Sequence, residues 1–328
     1  MYKIKEVKSN EIVLKENDKW WNWKESYKTQ NINIILYSSI GEMYNAFKLG
    51  NIDMINTSNT NFTEYIGTIG YQTKEYKGRQ WDYLVLNTSS QVLNNKEVRQ
   101  AIEHSIDKNN LVASVYGSRY YISNFPLDYG CYLYESQNVE SRYNLDLAKQ
   151  ILAENGWTYN YGSWRKTINY RYVRTSLNLV VKSSNTNQVA VADVIRRQLS
   201  EAGIQVQIIN ATDGQYNDYL ANKNYDMILI GINAPISINI NSFIGKENYS
   251  NYINDEISNL MREAKDTQDI NKRKENFNKI AQIYLEDSPW VGLYYNKNVI
   301  AYSNNLRAEM TPNWYNIYYN INEWYREI

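Results

Sequence analysis

Apolar and polar positions follow two different patterns along the 328 residues of the chain. Short runs that alternate every second residue, or that are apolar throughout, have the length of β-strands. Between them, apolar residues recur at spacings of three and four, as on one face of a helix. Strands are predicted at 2–4, 12–14, 32–36, 52–55, 81–86, 177–181, 204–208, 226–232 and 290–295. This order of elements predicts an α/β fold.

The predicted helices lie between these strands, and several have recognisable ends. The segment 144–156 begins at Asn144, a good N-cap residue, and stops at Gly156. Another helix, 188–202, is closed by Gly203, since glycine readily adopts the left-handed conformation in which many helices end. Further helices are predicted at 43–49, 98–106, 257–264 and 277–285.

Charge narrows the range of partners. The chain has 35 Lys and Arg residues against 35 Asp and Glu residues, so no overall field attracts nucleic acid or an anionic membrane. The one basic cluster, 271–274, is followed by acidic residues on a predicted helix, which is typical of a solvated helix face. We therefore expect no nucleic-acid partner. No run of residues approaches the apolar length of a transmembrane helix.

Residues that bind metals or act as nucleophiles are scarce. A single cysteine, Cys131, excludes an internal disulfide and a cysteine-based zinc cluster. A single histidine, His104, argues against a histidine-rich metal site and against a Ser-His-Asp triad. His104 lies beside the apolar stripe of the predicted helix 98–106, which predicts a packed helix residue. We therefore expect neither a metal nor a cofactor.

Tyrosine and tryptophan are abundant, with 32 Tyr and 9 Trp against 5 Phe. Such amphipathic rings suit a binding surface, because they offer a large contact area together with a polar group. The chain is equally rich in Asn, Ile and Lys, a set that a coding bias toward A and T also enriches, Tyr included. Both explanations of the aromatic excess stay open at this point.

Six segments resemble, in order and spacing, passages of the extracellular solute-binding proteins of family 5, which include oligopeptide, dipeptide and nickel binders of ABC importers. The segments are Tyr2-Lys3-Ile4-Lys5 with Ile12-Val13-Leu14, 48–53, Leu86-Asn87 with 98–102 and 106–108, 148–157, 199–206, and Tyr225-Asp226-Met227. The resemblance extends over essentially the whole chain. In the third segment, Arg99 and Asp107 are expected two turns apart on one helix.

The resemblance implies a type II periplasmic-binding-protein-like fold, in which two lobes form a Venus flytrap, with the first lobe incomplete. Residues 1–87 and 289–328 are expected in the first lobe and 88–288 in the second. The implied function is that of a solute-binding receptor of an ABC importer, which holds a peptide or similar solute between its lobes without catalysis and delivers it to permease subunits. The implied location is the extracellular face, membrane-associated through an upstream lipoprotein signal that this chain does not carry.

Family members normally carry a long stretch ahead of the passage that begins here at Tyr2. Without that stretch the first lobe is expected to expose a sheet edge and apolar surface. We therefore expect either a fragment of a longer protein or a chain whose first lobe is completed by a partner chain or by self-association. An alternative function follows from this: a degenerate or partial receptor that acts as a protein-interaction or sensing module.

Peptide binders of this family commonly hold the α-amino group of the ligand with an Asp that follows a Gly-Trp pair in the second lobe. The corresponding passage, 231–236, has neither the Trp nor the Asp. An uncharged or capped ligand is therefore expected, held by hydrogen bonds and by aromatic stacking. The predicted ligand-binding residues are Trp81, Tyr83, Asn87, Asn187, Ile232, Asn233, Ala234, Pro235, Tyr294 and Tyr295.

Catalysis is the remaining alternative. Asp213 and Asp218 are candidates for an acid and base pair, and clefts rich in Tyr and Trp suit sugars. Nothing in the sequence fixes the two carboxylates on a recognisable frame, however, and carboxylates at this density are typical of a protein surface. The sequence therefore favours a binding protein over an enzyme.

Overall fold

The computed structural model describes residues 1–22, 28–59, 61–127, 131–133, 140–235, 240, 243, 245 and 248–327. Strands and helices alternate along the chain, which confirms the predicted α/β class. The strands are β1 Tyr2–Val7, β2 Glu11–Glu16, β3 Asn31–Ile35, β4 Met54–Thr57, β5 Tyr71–Leu86, β6 Tyr121–Ile122, β7 Thr158–Asn160, β8 Ser163–Ile168, β9 Arg171–Arg174, β10 Ser176–Lys182, β11 Gln205–Ala211, β12 Met227–Asn233, β13 Trp290–Ser303, β14 Leu306–Arg307 and β15 Tyr325–Arg326. The helices are α1 Ile40–Lys48, α2 Phe62–Ile66, α3 Lys96–Ser105, α4 Lys108–Tyr116, α5 Leu145–Glu154, α6 Thr186–Glu201, α7 Asp213–Asn222, α8 Asp255–Asp266 and α9 Ile270–Asp287.

The chain divides into two compact units. Unit 1 comprises Met1–Gly78 and Lys297–Ile328, and unit 2 comprises Arg79–Asn296. The sequence predicts boundaries after residue 87 and before residue 289, whereas the structure groups 79–87 and 289–296 with unit 2. The reason is pairing: the second half of β5 hydrogen-bonds along the whole of β12, which belongs to unit 2.

Within unit 2 the main sheet has the strand order β11, β10, β12, β5 and β13. Strands β11, β10 and β12 run parallel, whereas β5 is antiparallel to β12. Both faces of this sheet are covered. On one face Leu84 and Leu86 pack against α3, α4, α5 and α6, and on the other Trp81, Tyr83 and Val85 pack against α7, α8 and α9. A strand buried on both faces must be apolar throughout, which explains the near-continuous apolar run of β12.

The predicted helix ends are confirmed at α5 and α6. The Asn144 side chain accepts a hydrogen bond from the Leu147 N–H at the start of α5. Gly156 and Gly203 follow the two helices at φ of 80° and 82°. Gly203 is also required for steric reasons, because a Cβ at this position would lie 2.6 Å from the Tyr159 ring. A side chain at this position would therefore disturb both the turn and its packing.

The prediction that Arg99 and Asp107 share one helix is wrong. Helix α3 ends at Ser105, and Asp107 is the N-cap of the next helix, where its side chain accepts from the Asn110 N–H. Arg99 is buried and donates to the carbonyl oxygens of Leu93, Asn94 and Asp287. The sequence pattern fails here because Ile106 lies four residues after Ile102, as on a continuing helix face, although its backbone is already extended beyond the end of α3.

Unit 2 also contains a small antiparallel sheet of order β7, β8 and β9 that the sequence pattern does not predict. Its strands are short, and every residue of β7 is exposed. Because no face of β7 is buried, its sequence lacks the apolar alternation from which a strand is recognised.

Unit 1 has two small apolar clusters. One joins α1, α2, β4 and Val299 of β13 around Tyr44 and Phe47, and the other gathers Tyr76, Ile300 and Trp324. Strand β4 pairs with residues 299–302 of β13. The remaining strands β1, β2 and β3 form a separate three-stranded antiparallel sheet.

One face of that three-stranded sheet is aliphatic. Cross-strand pairing aligns six aliphatic residues in two rows on the same side: Ile4, Leu14 and Ile32 in one row, and Val7, Ile12 and Ile34 in the other. A register irregularity between Ile4 and Glu6 in β1 is what brings Val7, three positions after Ile4, onto this face. Ile4 and Val7 are each 65% exposed. We call this surface the aliphatic face.

No described helix is both long and apolar enough to cross a membrane.

Candidate functional site

The carboxyl ends of the parallel strands form one edge of the unit 2 sheet. Strand β10 ends at Lys182, β11 at Ala211 and β12 at Asn233, and helices α6 and α7 begin just after the first two. In open α/β sheets this edge is where ligands bind, because loops and helix N-termini converge there. Four of the predicted ligand-binding residues lie on it: Asn187 in the first turn of α6, and Ile232, Asn233 and Pro235 at the end of β12.

The predicted aromatic residues lie in the core of unit 2. Trp81 and Tyr83 stack with ring centroids 4.5 Å apart, and Trp81 is fully buried. The Tyr295 hydroxyl donates to the Leu127 carbonyl oxygen at 2.7 Å. Tyr294 and Ala234 are buried as well. These rings therefore contribute to the packing beneath the edge rather than to its exposed surface.

Asn87 lies at the opposite edge of the sheet. Its side-chain amide donates to the carbonyl oxygens of Lys223 and Tyr225, ahead of β12, whereas Asn233 ends that strand. The residue lines a polar cavity of about 720 Å³ together with Asp226 and other polar groups. The structure thus does not bring Asn87 together with the other predicted residues.

Asp82 is the residue at this edge that the sequence prediction missed. It lies directly across the ladder from Gly231, and its side chain is on the same face of the sheet as Leu84 and Leu86. The residue is only 4% exposed. It is the one polar residue in the buried run 81–86 of β5, and this break in an apolar run is the signal that the sequence offers.

Three neutral donors surround the Asp82 carboxylate. Gln188 Nε2 donates to Oδ2 at 3.0 Å, the Tyr294 hydroxyl donates to Oδ2 at 3.2 Å, and Gln80 Nε2 donates to Oδ1 at 3.4 Å. Burial raises the pKa of the Asp82 carboxyl, while these hydrogen bonds act in the opposite direction. No Lys, Arg or His side chain in the described part of the chain forms an ion pair with it.

Aromatic hydroxyls extend this network. Tyr294 OH is 3.0 Å from Tyr116 OH, and Tyr120 stacks on Tyr116 with ring centroids 4.0 Å apart. Burial and, to a lesser extent, the Asp82 charge raise the pKa of Tyr120 to about 12. These phenols are therefore neutral hydrogen-bonding groups at physiological pH.

The surface over Asp82 is polar and uncharged. Gly231 is exposed and has no side chain, and the amide residues Gln80, Asn187 and Asn233 are exposed as well. An amide-lined surface above a single carboxylate can hold a small solute by hydrogen bonds and one ionic contact, and it offers no nucleophile. We call this group of residues the Asp82 site. Ile236, the last residue of the passage compared above, lies outside the described residues.

The carboxylates considered for catalysis are surface groups. Asp213 accepts from Ser184 at 2.6 Å and pairs with Lys182 Nζ at 3.0 Å. Asp218 is exposed on the same helix. Five positions apart, their side chains leave α7 in different directions, so the two carboxylates do not face one reacting group.

The single histidine has a structural partner. His104 Nδ1 is 2.6 Å from the Arg142 carbonyl oxygen, and burial lowers the pKa of its ring. This confirms a packed helix residue. Among the described residues, no three His, Cys, Asp or Glu side chains are grouped as metal ligands would be.

Comparisons with known proteins point to one family of solute-binding proteins. Residues 1–247 match the model of bacterial extracellular solute-binding proteins, family 5 middle. The chain is 26% identical over 340 residues to the oligopeptide-binding protein AppA of Bacillus subtilis, covering 99% of this chain and 61% of AppA. It is 22% identical over 264 residues to heme-binding protein A of Haemophilus influenzae, covering 76% of this chain and 46% of that protein. The chain thus spans roughly half to three fifths of the length of these relatives.

Solved structures show the same fold. The ABC transporter substrate-binding protein CtaP of Listeria monocytogenes matches with a TM-score of 0.84 at 17% identity, covering 99% of this chain and 66% of CtaP. Bacillus subtilis AppA in complex with a nonapeptide matches with a TM-score of 0.69 at 22% identity, covering 100% of this chain and 66% of AppA. The predicted type II binding-protein fold is thereby confirmed, and the chain belongs to the bacterial extracellular solute-binding proteins of family 5.

Proposed function

We propose that this chain is part of a receptor that binds a peptide or a similar small solute and delivers it to the permease subunits of an ABC importer, without catalysis. The Asp82 site carries this proposal. It lies at the ligand-binding edge of a parallel sheet and combines exposed amides with one buried carboxylate, a composition suited to polar solutes. Family membership supports it, and the relative AppA is named for oligopeptide binding.

Within this proposal the residues of the edge have different roles. Asn187, Ile232, Asn233 and Pro235 contact the ligand directly, since they are exposed or half-buried. Trp81, Tyr83, Ala234, Tyr294 and Tyr295 hold the edge in shape from beneath. A role for Asn87 in binding requires a ligand that reaches the opposite edge. The proposed location is extracellular, in line with the family, with attachment to the membrane through an upstream lipoprotein signal.

Native mass spectrometry of the purified protein tests the proposal. Receptors that bind small solutes tightly retain them through purification, so we expect adducts in the mass range of short peptides. Isothermal titration calorimetry with released adducts or synthetic peptides then gives the affinity. A protein that carries no adduct and shows no heat with any peptide contradicts the proposal.

A second candidate function rests on the aliphatic face of unit 1. Ile4 and Val7 are each 65% exposed and Ile34 is 42% exposed, on a face that the described residues leave partly uncovered. Exposed apolar surface of this kind marks an interaction site. We propose that a partner chain or a second copy of this chain covers it, and that the chain then acts as an interaction module. Light scattering after size exclusion tests this, because a strictly monomeric species that recovers no partner argues against it.

A further inference from the structure

We propose that the outer face of the β7–β9 sheet in unit 2 is a docking surface for an anionic phospholipid bilayer. The surface shares no residue with the Asp82 site. The inference therefore goes beyond the proposed function, and it holds whichever solute the chain binds.

The segment that contains this sheet is basic. Between Glu154 and Asp193 the chain has no acidic residue, although acidic and basic residues are equal in number over the whole sequence. The basic residues of the same stretch are Arg165, Lys166, Arg171, Arg174 and Lys182. A chain without net charge therefore has a local positive field here.

The inner face of the sheet is covered by unit 2. Trp164 and Val173 are buried in the apolar core that also contains Leu84 and Leu86. Lys166 pairs with Val173 across the ladder and so lies on the inner side, where its ammonium forms an ion pair with a glutamate at 3.1 Å. The charge of this lysine is thus compensated within the protein.

The outer face presents two arginines side by side. Arg165 of β8 lies directly opposite Arg174 of β9, and within the described residues neither takes part in an ion pair. Like charges directly across a ladder destabilise a sheet. The arrangement becomes favourable when phosphate groups lie over it, because a guanidinium can bind a phosphate through two N–H groups. The pairing therefore points to an anionic partner.

Tyrosine rings adjoin these arginines. The Arg165 guanidinium lies over the Tyr161 ring, 5.3 Å from its centroid, and over the Tyr172 ring, 5.8 Å from its centroid. Arg165 Nη1 also donates to the Tyr172 hydroxyl at 3.2 Å. Tyr161 is 86% exposed and Tyr172 is 66% exposed. Amphipathic rings combined with basic groups are typical of surfaces that lie in the headgroup region of a membrane.

The two hairpin turns place further ring surface at both ends of the sheet. Tyr161 lies in the turn between β7 and β8, and the fully exposed Tyr170 lies in the turn between β8 and β9. The six residues of β8 separate the turns by about 20 Å. A partner that contacts both turns and the arginines between them must be broad and must accept rings as well as guanidinium groups. The headgroup layer of an anionic bilayer has both properties.

A single-stranded nucleic acid matches this surface less well. Its bases bind by stacking on aromatic faces. Arg165 already lies over one face of Tyr161 and one face of Tyr172, so these rings offer less free surface for stacking.

Vesicle co-sedimentation of the chain without lipid modification tests the inference. Vesicles of phosphatidylcholine alone are compared with vesicles of equal parts phosphatidylcholine and phosphatidylglycerol. The comparison is made at low ionic strength and in about 1 M salt, where the screening length is about 3 Å. We expect binding to the phosphatidylglycerol vesicles at low ionic strength, and none to phosphatidylcholine alone or in high salt.

Two double variants locate the binding surface. Arg165→Gln with Arg174→Gln is expected to weaken binding about 30-fold, because each basic residue near an anionic bilayer contributes roughly five-fold. Tyr161→Asn with Tyr170→Asn removes the rings of both turns and should cause a smaller loss. Both turn residues have positive φ, which asparagine adopts readily, so the turns are expected to persist.

Two matched controls separate docking from net charge and from folding. Arg196→Gln with Arg262→Gln changes the net charge by the same amount at exposed positions on α6 and α8. Tyr315→Asn with Tyr319→Asn removes two exposed rings from unit 1. Both controls are expected to bind like the parent. Thermal melts verify that all four variants are folded.

The outcomes decide both the surface and its partner. A parent that leaves phosphatidylglycerol vesicles unbound, or that binds both vesicle types equally, would overturn the inference. Equal weakening by the Arg196 and Arg262 control would overturn the assignment to the outer face. Binding of a single-stranded oligonucleotide or of polyglutamate in place of vesicles would overturn the lipid partner.

Native mass spectrometry keeps this inference separate from the proposed function. The Arg165 and Arg174 variant should retain the same solute adducts as the parent, because it changes no residue of the Asp82 site. Loss of vesicle binding with adducts retained supports the docking surface, whereas joint loss of both would overturn its independence from solute binding.

Discussion

The sheets of the two units differ in how their faces are covered. In unit 2, helices cover both faces of the main sheet, and Ile102 of α3 is fully buried against it. In unit 1, the aliphatic face of β1–β3 is partly open, and Ile4 is 65% exposed. An isoleucine side chain thus contributes to the core in unit 2, at Ile102, and is available for a contact in unit 1, at Ile4. The apolar faces of the main sheet in unit 2 are thus covered by its own helices, whereas the aliphatic face of unit 1 is available for a contact.

The largest effect is expected from breaking the buried ion pair of unit 2. Glu103→Gln leaves the Lys108 ammonium, which is 1% exposed and otherwise bonded to Asn124, without its counter-charge. Loss of one partner of a buried pair costs about 3–5 kcal/mol of unfolding free energy. Urea denaturation measures it. The control is Glu286→Gln in the exposed pair with Lys96, for which about 0–1 kcal/mol is expected. Equal losses for both variants would contradict the difference in burial.

A matched pair of isoleucines tests the comparison directly. Ile102→Ala creates a cavity in the core of unit 2 and is expected to lower the free energy of unfolding by about 2–5 kcal/mol. Ile4→Ala removes an exposed side chain and is expected to change it by less than about 0.5 kcal/mol. Chemical denaturation followed by tryptophan fluorescence measures both. A loss at Ile4 comparable to that at Ile102 would show that the aliphatic face is already covered in solution.

A smaller effect of opposite sign is expected at the Asp82 site. Because burial raises the folded-state pKa of Asp82 above its unfolded value of about 3.9, its ionised form destabilises the fold at neutral pH. Asp82→Asn is therefore expected to stabilise the ligand-free protein at pH 7. The groups near Asp82 do not change their charge near neutral pH, so the pH dependence reports on Asp82 itself. These groups are the amides of Gln80 and Gln188 and the phenols of Tyr116, Tyr120 and Tyr294.

The pH dependence gives the check on this sign. The gain of Asp82→Asn should shrink as the pH falls through the folded pKa and vanish below the unfolded pKa of about 3.9, where the carboxyl is protonated in both states. Thermal melts between about pH 3 and pH 8 measure it. A gain that grows toward low pH would mean that the carboxylate is stabilised in the fold by a cation.

The smallest effect on stability is expected on the aliphatic face. Ile34→Lys places a charge on this face, and Asn33→Lys places the same charge on the other side of β3. Both side chains are exposed, so each variant should change the unfolding free energy by less than about 0.5 kcal/mol. Only Ile34→Lys should weaken self-association or partner recovery, as measured by light scattering. Identical behaviour of the two variants would indicate that the face makes no contact.

Much of the fold follows from the sequence because buried elements leave a strong pattern. The apolar run of β12 and the ends of α5 and α6 are set by local rules of burial and capping. The β7–β9 sheet is not predictable in this way, since β7 buries nothing. The pairing of β5 with β12, which accompanies the grouping of residues 79–87 with unit 2, is likewise not contained in the pattern of either segment.

The Asp82 site shows more clearly which features the sequence alone does not predict. The sequence points to the end of β12 and to the absence of an acid in 231–236. The carboxylate at this position comes from the neighbouring strand, almost 150 residues earlier in the chain, and only the register that opposes Asp82 to Gly231 brings it there. Periodicity within one segment carries no information about a partner strand so distant in sequence.

The irregularity in β1 has a consequence for how related chains can vary in length. Val13 pairs with Glu6 and Ile12 with Val7, while Leu14 pairs with Ile4, so Lys5 is the extra residue of the pair of strands. A chain without Lys5 would place Val7 two positions after Ile4 in a regular strand and would keep both on the aliphatic face. Loss of one residue between Ile4 and Val7 therefore leaves the aliphatic face unchanged, because the two side chains then follow the regular two-residue period of a strand.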